Sequence, residues 1–291
     1  MTTPEHVTLR LFRFDPSVDT APRYETYQVP YSDQMRVLDA LNHVYDELDV
    51  PLAYRWFCGT KKCGECAVTV NGAPQLGCWE PALSEMTVEP LANFPIVRDL
   101  AIDTAPYERV IMGLKPYLRR SGRPAFPEVL PEAEMDAANR LYKCIECKVC
   151  SGAVPVPDVT AEGVDWQSHA GPAALVRFAR FALDPRDETE RRALAERAGL
   201  GTMPLYADLE GICPQGIDIL RDALVPARKK LLGIEDEAPE PVEAVTVFVM
   251  ARDWSGFVRL AEARKGELEA AGTIAAEDLP GFGTAYRLAA G

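Results

Sequence analysis

Eight cysteines in two groups of four carry the chemistry legible in this 291-residue sequence. Cys58, Cys63, Cys66 and Cys78 form one group, and Cys144, Cys147, Cys150 and Cys213 form the other. The opening stretch, MTTPEHVTLRLFRFDP, has no basic segment followed by an apolar one, so the sequence predicts an intracellular protein. In such a protein, cysteines at close, repeated spacings are metal ligands more often than disulfide partners.

The first group reads C-x4-C-x2-C-x11-C, and its leading triplet has the spacing of plant-type [2Fe-2S] sites. Four thiolates must converge on two irons from a tight loop whose amides can turn toward the sulfurs. Within CGTKKCGEC, Gly59 and Gly64 supply the backbone freedom for that turn. Lys61 and Lys62 lower the cost of gathering negative sulfur charge. Structural zinc usually takes cysteines in C-x2-4-C pairs, which this triplet is not, so a non-redox zinc-binding interaction protein is the weaker reading. Trp56 and Trp79 flank the group and are expected to pack as shielding side chains.

The second group opens in LYKCIECKVCSGAVPVPD, which begins like a bacterial ferredoxin run and then departs from it. Such a run reads C-x2-C-x2-C-x3-C-P. Cys144, Cys147, Cys150 and Pro155 are in place, but Val154 stands where the fourth cysteine belongs. That fourth cysteine ligates the neighbouring cluster when two are present, so its loss leaves this [4Fe-4S] site whole. Cys213, followed by Pro214, is the remaining cysteine and the expected fourth ligand.

Over roughly residues 7–232 the chain resembles the iron-sulfur subunit of succinate dehydrogenase and fumarate reductase. Beyond the cysteines, the resemblance rests on RFDPSVDTAPRYETYQVP, MRVLDAL, NFPIVRDLAID, KPYL, GPAALVRFARFALDPRDE and ICPQGI. It implies an oxidoreductase subunit that transfers electrons to or from an FAD-containing flavoprotein subunit and has no catalytic residues of its own. Family members carry [2Fe-2S], [4Fe-4S] and [3Fe-4S] clusters and exchange electrons with a quinone. By the same resemblance, the three [3Fe-4S] ligand positions fall on Val154, Met203 and Leu209. All three are apolar, which implies [2Fe-2S] and [4Fe-4S] clusters, no [3Fe-4S] cluster, and a hydrophobic plug in its place. Pro204 stands where the family has a histidine, and SGAVPVPDV lacks the family's tryptophan. The implied exit is a further electron carrier or subunit other than the usual quinone. A flavoprotein acting on a different carboxylate fits the same relay.

These groups need two scaffolds. Apolar and polar residues alternate over residues 7–14 before shifting phase, residues 24–29 form a second strand candidate, and Val37, Leu38, Leu41, Val44, Tyr45 and Leu48 recur at helical spacing. Residues 67–70 run into Asn71-Gly72, a hairpin signal, and residues 86–88 close the sheet. A small sheet crossed by one helix, with a cysteine loop, is the β-grasp pattern of plant-type ferredoxins, expected here over residues 1–100. Prolines 106, 116, 124, 127 and 131 then mark a connecting stretch. Helical spacing follows at 134–142, 172–182, 188–198 and 217–231, so residues 101–233 are expected to be all-α, and the resemblance implies that they form a bacterial-ferredoxin-like [4Fe-4S] domain. Residues 234–291 comprise an acidic, proline-rich linker and a C-terminal extension with a strand-like VTVFVM and a helical FVRLAEARKGELEAAG. The expected fold class is α+β.

A net charge of -13 argues against nucleic acid as a partner. No run of about 18 apolar residues marks a membrane span, so the expected location is cytoplasmic, peripheral to the inner face of a membrane only through partner subunits. His6, His43 and His169 are not spaced for haem or a metal triad. GFGTAY near the end of the chain lacks the βαβ context of a dinucleotide loop.

Overall fold

A computed structural model describes residues 5–124, 126–154, 159–160, 163–164 and 169–236. Pro155, VTVFVM, the helical stretch after it and GFGTAY lie outside these residues. The described chain forms two compact units. One contains the residues up to Asp103 and resumes at Gly152, and the other takes Thr104–Ser151 and the described residues from His169 onward.

The first unit is built on five strands, β1 (His6–Arg13), β2 (Arg23–Pro30), β3 (Ala67–Val70), β4 (Ala73–Leu76) and β5 (Glu85–Pro90), in the order β2-β1-β5-β3-β4. β1 and β5 run parallel at the centre and the other pairs are antiparallel. A parallel pair requires a long crossover, and helix α1 (Val37–Asp46) lies on that path. The period-two pattern of β1 sends Val7, Leu9 and Leu11 into the core, where they join Val37, Ala40, Leu41 and Val44 of α1 and Val68, Val70, Met86 and Val88 of the sheet. The phase shift read from the sequence is real: Phe12, Arg13 and Phe14 are all buried.

Asn71 and Gly72, at φ 47 and 85, make the β3–β4 turn with both residues left-handed. The Asn71 side chain accepts the Thr87 N–H at 2.7 Å, fastening the turn to β5. Two short strands, β6 (Ile96–Arg98) and β7 (Ala101–Ile102), follow the sheet. β8 (Val159–Thr160) and β9 (Gly163–Val164) pair with each other.

The second unit contains α2 (Ala105–Gly113), α3 (Glu132–Leu141), α5 (Gly171–Ala182), α6 (Arg192–Arg197) and α7 (Val225–Leu232), while α4 (Val149–Ala153) runs across the boundary between the units. A π-helical turn, Ile219–Leu224, leads directly into α7. Nearly all of α5 is buried, and it packs against α2, α3 and the π-helical turn.

Three sequence expectations change here. Residues 101–233 are not all helical: β7, β8 and β9 fall within them, and the described residues from Gly152 through β9 group with the sheet unit. Residues 105–113, assigned to a connecting stretch, are helical: Pro106 lies in the first turn, where a missing N–H breaks no helical hydrogen bond. The helix expected from residue 188 begins at Arg192 instead. The residues before it bond elsewhere, with the Glu188 N–H on the Arg119 carbonyl at 2.9 Å and its carboxylate on the Ser121 N–H at 2.7 Å.

α7 stops at Gly233, whose φ of 70 suits glycine. The Arg228 guanidinium is buried, donating from Nε to the Leu200 carbonyl at 2.7 Å, from Nη2 to the Met203 carbonyl, and from Nη1 to Asp236 Oδ1 at 2.6 Å.

Candidate metal centres

The sulfurs of the first group gather as two pairs. The Cys63 N–H lies 3.3 Å from Cys58 Sγ, and the Cys58 N–H lies 3.5 Å from Cys63 Sγ. Cys66 precedes β3 and Cys78 follows β4. Pairing of Ala67 with Leu76 closes that hairpin and brings its two ends together, so the Cys78 N–H reaches Cys66 Sγ at 3.4 Å. The long x11 interval in the sequence is therefore the length of a hairpin.

Cys58 Sγ also receives the N–H groups of Thr60 at 3.4 Å and Lys62 at 3.3 Å. The loop achieves this with Gly59, Lys61 and Gly64 at φ 65, 60 and 78. The two glycines do what their sequence positions suggested, and Lys61 shares the strain without being a glycine. The N–H of Thr60, then that of Lys62, together with Cys63, lowers the Cys58 thiol to about 6. Burial pushes the Cys66 thiol up to about 12. A bound metal supplies the positive charge that makes such a buried thiolate favourable.

The flanking tryptophans do not shield this loop by burial. Trp56 and Trp79 are about half exposed, and Phe57 is 80% exposed. The Arg36 guanidinium lies 5.5 Å from the centre of the Trp79 ring and Lys61 Nζ lies 5.0 Å from it, so cations rather than a protein core cover that ring.

Cys144 and Cys147 lie on the loop between α3 and α4, and Cys150 lies in α4. Glu146 and Lys148 take φ 57 and 65, winding the chain tightly between successive cysteines. Cys213 comes from the segment ahead of the π-helical turn. All four cysteines line one pocket of about 370 Å³, counted with its open mouth, whose other walls include Ile145, Val176, Ile217 and Ile219. Burial raises the Cys144 thiol, lifts Cys147 to about 12 and holds Cys150 well above its ordinary value.

Among the described residues, no three His, Cys, Asp or Glu side chains are drawn together around a single ion. The second group surrounds a volume and the first forms pairs. Four thiols in each group are the donor set that an iron-sulfur cluster takes.

Val154, Met203 and Leu209 are buried at 3%, 1% and 0% exposure. The Val154 carbonyl accepts the Asn93 side-chain N–H at 2.8 Å. His169 is a buried core residue whose Nδ1 accepts the Gly171 N–H at 3.2 Å. Sequence reasoning missed Arg177 and Arg180, which meet Glu146 between two of the cysteines. Their three-residue spacing on a helix was the available signal.

Residues 8–109, spanning the first cysteine group, match a family profile described as a 2Fe-2S iron-sulfur cluster binding domain. Together with the sheet unit and its cysteine loop, that match defines an iron-sulfur electron-transfer protein. The chain is 31% identical over 224 residues to the fumarate reductase iron-sulfur subunit of Mycobacterium tuberculosis, covering 74% of this chain and 88% of that one. It is also 31% identical over 222 residues to a subunit of the CoM/CoB fumarate reductase of Methanothermobacter marburgensis, covering 76% of this chain and 44% of that one. Among solved structures, a chain of the Mycobacterium smegmatis Sdh1 complex in the apo form superposes with a TM-score of 0.68 at 26% identity, covering 79% of this chain and 97% of that chain. The protein belongs to the iron-sulfur subunit family of fumarate reductase and succinate dehydrogenase, and its role is electron transfer within an oxidoreductase complex. Among the described residues no helix is long and apolar enough to cross a membrane.

Proposed function

We propose that this subunit carries two clusters and passes electrons between an FAD-bearing flavoprotein subunit and a carrier other than the family's usual quinone. In this reading Cys58, Cys63, Cys66 and Cys78 would hold [2Fe-2S]. Cys144, Cys147, Cys150 and Cys213 hold [4Fe-4S]. The first centre belongs to a β-grasp domain over residues 1–100 and the second to a bacterial-ferredoxin-like helical domain over residues 101–233. Residues 234–291 are the linker and extension, and the protein is cytoplasmic, meeting a membrane only through its partners.

The clusters supply one-electron chemistry, and the protein's own residues hold, insulate and tune them. N–H groups on Cys58 Sγ stabilise the extra negative charge of a reduced centre. The apolar walls of the second pocket would lower the polarity around the other.

The observation that carries the reading is a contrast. Four cysteines line one pocket, whereas the positions expected to serve a third cluster are the apolar, buried Val154, Met203 and Leu209. Filling such space with side chains avoids the cost of a cavity. The relative named for CoM/CoB supports exchange partners that differ among family members.

Iron and acid-labile sulfide analysis with EPR on the full chain tests the cofactor content. The expected result is about six irons, two plus four, and no [3Fe-4S] signal after oxidation. About nine irons with that signal overturns it. Sustained turnover of the assembled complex with a quinone as sole partner overturns the exit half of the reading.

A further inference from the structure

Arg177 and Arg180 stand three residues apart on α5, on one face of the helix. Val176, beside the first of them, lines the cysteine pocket. Arg180 is 9% exposed and donates from Nη2 to the Cys144 carbonyl at 3.0 Å. Arg177 pairs through Nη1 with Glu146 Oε1, and Arg180 Nη1 lies 3.9 Å from the same oxygen. The Nε atom of each arginine is buried and has no acceptor among the described residues. A buried donor left without an acceptor is costly, and two on one helix face beside one pocket point to a missing acceptor.

We propose that Arg177 and Arg180 donate their Nε hydrogens to sulfur at the second centre and raise its reduction potential, with Glu146 as the opposing charge. This rests on the reading that Cys144, Cys147, Cys150 and Cys213 hold a [4Fe-4S] cluster. A cluster bound by four thiolates is anionic, and reduction makes it more so. Cations and N–H donors beside it therefore favour the reduced form, while a carboxylate favours the oxidised one. In a relay without a third cluster this centre makes the last transfer, so its potential sets how readily electrons cross to the outside carrier. Arg177, Arg180 and Glu146 are positioning and tuning residues, not ligands.

The test is an EPR-monitored redox titration of both centres in the full chain and in R177Q, R180Q, R180K and E146Q. R177Q and R180Q are each expected to lower the reduced-to-oxidised ratio of the [4Fe-4S] centre about tenfold at a fixed potential, a shift of about 59 mV for one electron. R180K falls between wild type and R180Q, E146Q moves the potential upward, and the [2Fe-2S] potential stays in place. A change of sign between the arginine and glutamate variants separates charge tuning from simple loosening. If R180Q fails to assemble the centre, R177Q and E146Q decide the matter. Unmoved potentials in those variants, with the [4Fe-4S] spectrum intact, overturn this inference alone. A wild-type chain that yields only [2Fe-2S] overturns the site reading and this inference with it.

Discussion

Arg13 Nε lies 3.0 Å from Asp99 Oδ1, joining residues 86 positions apart, with side chains only 6% and 2% exposed. The same carboxylate accepts the N–H groups of Phe14 at 3.0 Å and Ala53 at 2.9 Å. Arg13 also donates to Glu25 at 2.7 Å, Tyr27 at 3.1 Å and the Pro51 carbonyl at 3.1 Å. β1, β2, the segment ahead of the cysteine loop and the β6–β7 turn are thereby tied to one buried charge pair. D99N leaves the guanidinium without its main counter-charge, and the expected loss is about 3–5 kcal/mol. Denaturant unfolding of the full chain measures it, and a loss below about 1 kcal/mol would show that water reaches the pair.

Met203 and Leu209 are as enclosed as core side chains, so truncating either opens a cavity. M203A and L209A are expected to cost about 2–5 kcal/mol each. Iron content stays at the wild-type value in both. Unfolding midpoints and iron analysis check the two halves separately, and loss of iron from either variant counts against a purely apolar plug.

Much of the first unit is written in local pattern. The alternation of Val7, Leu9 and Leu11 and the Asn71-Gly72 turn need only near neighbours, and each appears as a strand and a hairpin. The parallel pairing of β1 with β5 is not local, and no short pattern encodes it. α2 escaped notice because Pro106 reads as a helix breaker unless its place in the first turn is known. Cysteine spacing marked the two groups, but only the closed hairpin reveals that Cys66 and Cys78 meet. The arginines of α5 were legible only in part: their three-residue spacing puts them on one face, but charge on a helix says nothing about what that face meets.

In the cluster-free chain the thiols should differ sharply in reactivity. Cys58, lowered to about 6 by the N–H groups of Thr60, Lys62 and Cys63, is largely thiolate at neutral pH. Cys66 and Cys147, raised by burial to about 12, are not. Brief alkylation with iodoacetamide followed by peptide mass mapping should therefore label Cys58 well ahead of the other two. Equal labelling would mean that the loop amides turn toward the sulfur only once metal binds.

Acid should weaken the helical unit through Asp187. Its carboxylate accepts Arg191 Nε at 2.6 Å, the Arg119 N–H at 3.0 Å and the Thr189 hydroxyl at 2.9 Å. Burial pushes this acid up, but Arg191 and the other donors prevail and hold it below the ordinary carboxylate range. Asp184 is lowered in the same way, with Arg186 and Tyr142 as its donors overcoming burial. A folded-state value below the unfolded one contributes stability that is complete above the unfolded value, about 3.9, and disappears as pH falls through the folded one. Unfolding midpoints should hold steady down to about pH 5 and then decline. D187N should be less stable at neutral pH and show a shallower acid decline, and a parallel decline in both proteins would remove Asp187 from this account.

The ion pair between Arg228 and Asp236 also decides where the polypeptide can be shortened. Composition alone puts the cut at the acidic linker, just after the glycine that stops α7. A version ending there would strand an interior cation against the Leu200 and Met203 carbonyls with no carboxylate beside it. The helical unit therefore owns the first residues of its apparent tether, and a truncation that spares Asp236 keeps a neutralised interior that one ending at Gly233 forfeits.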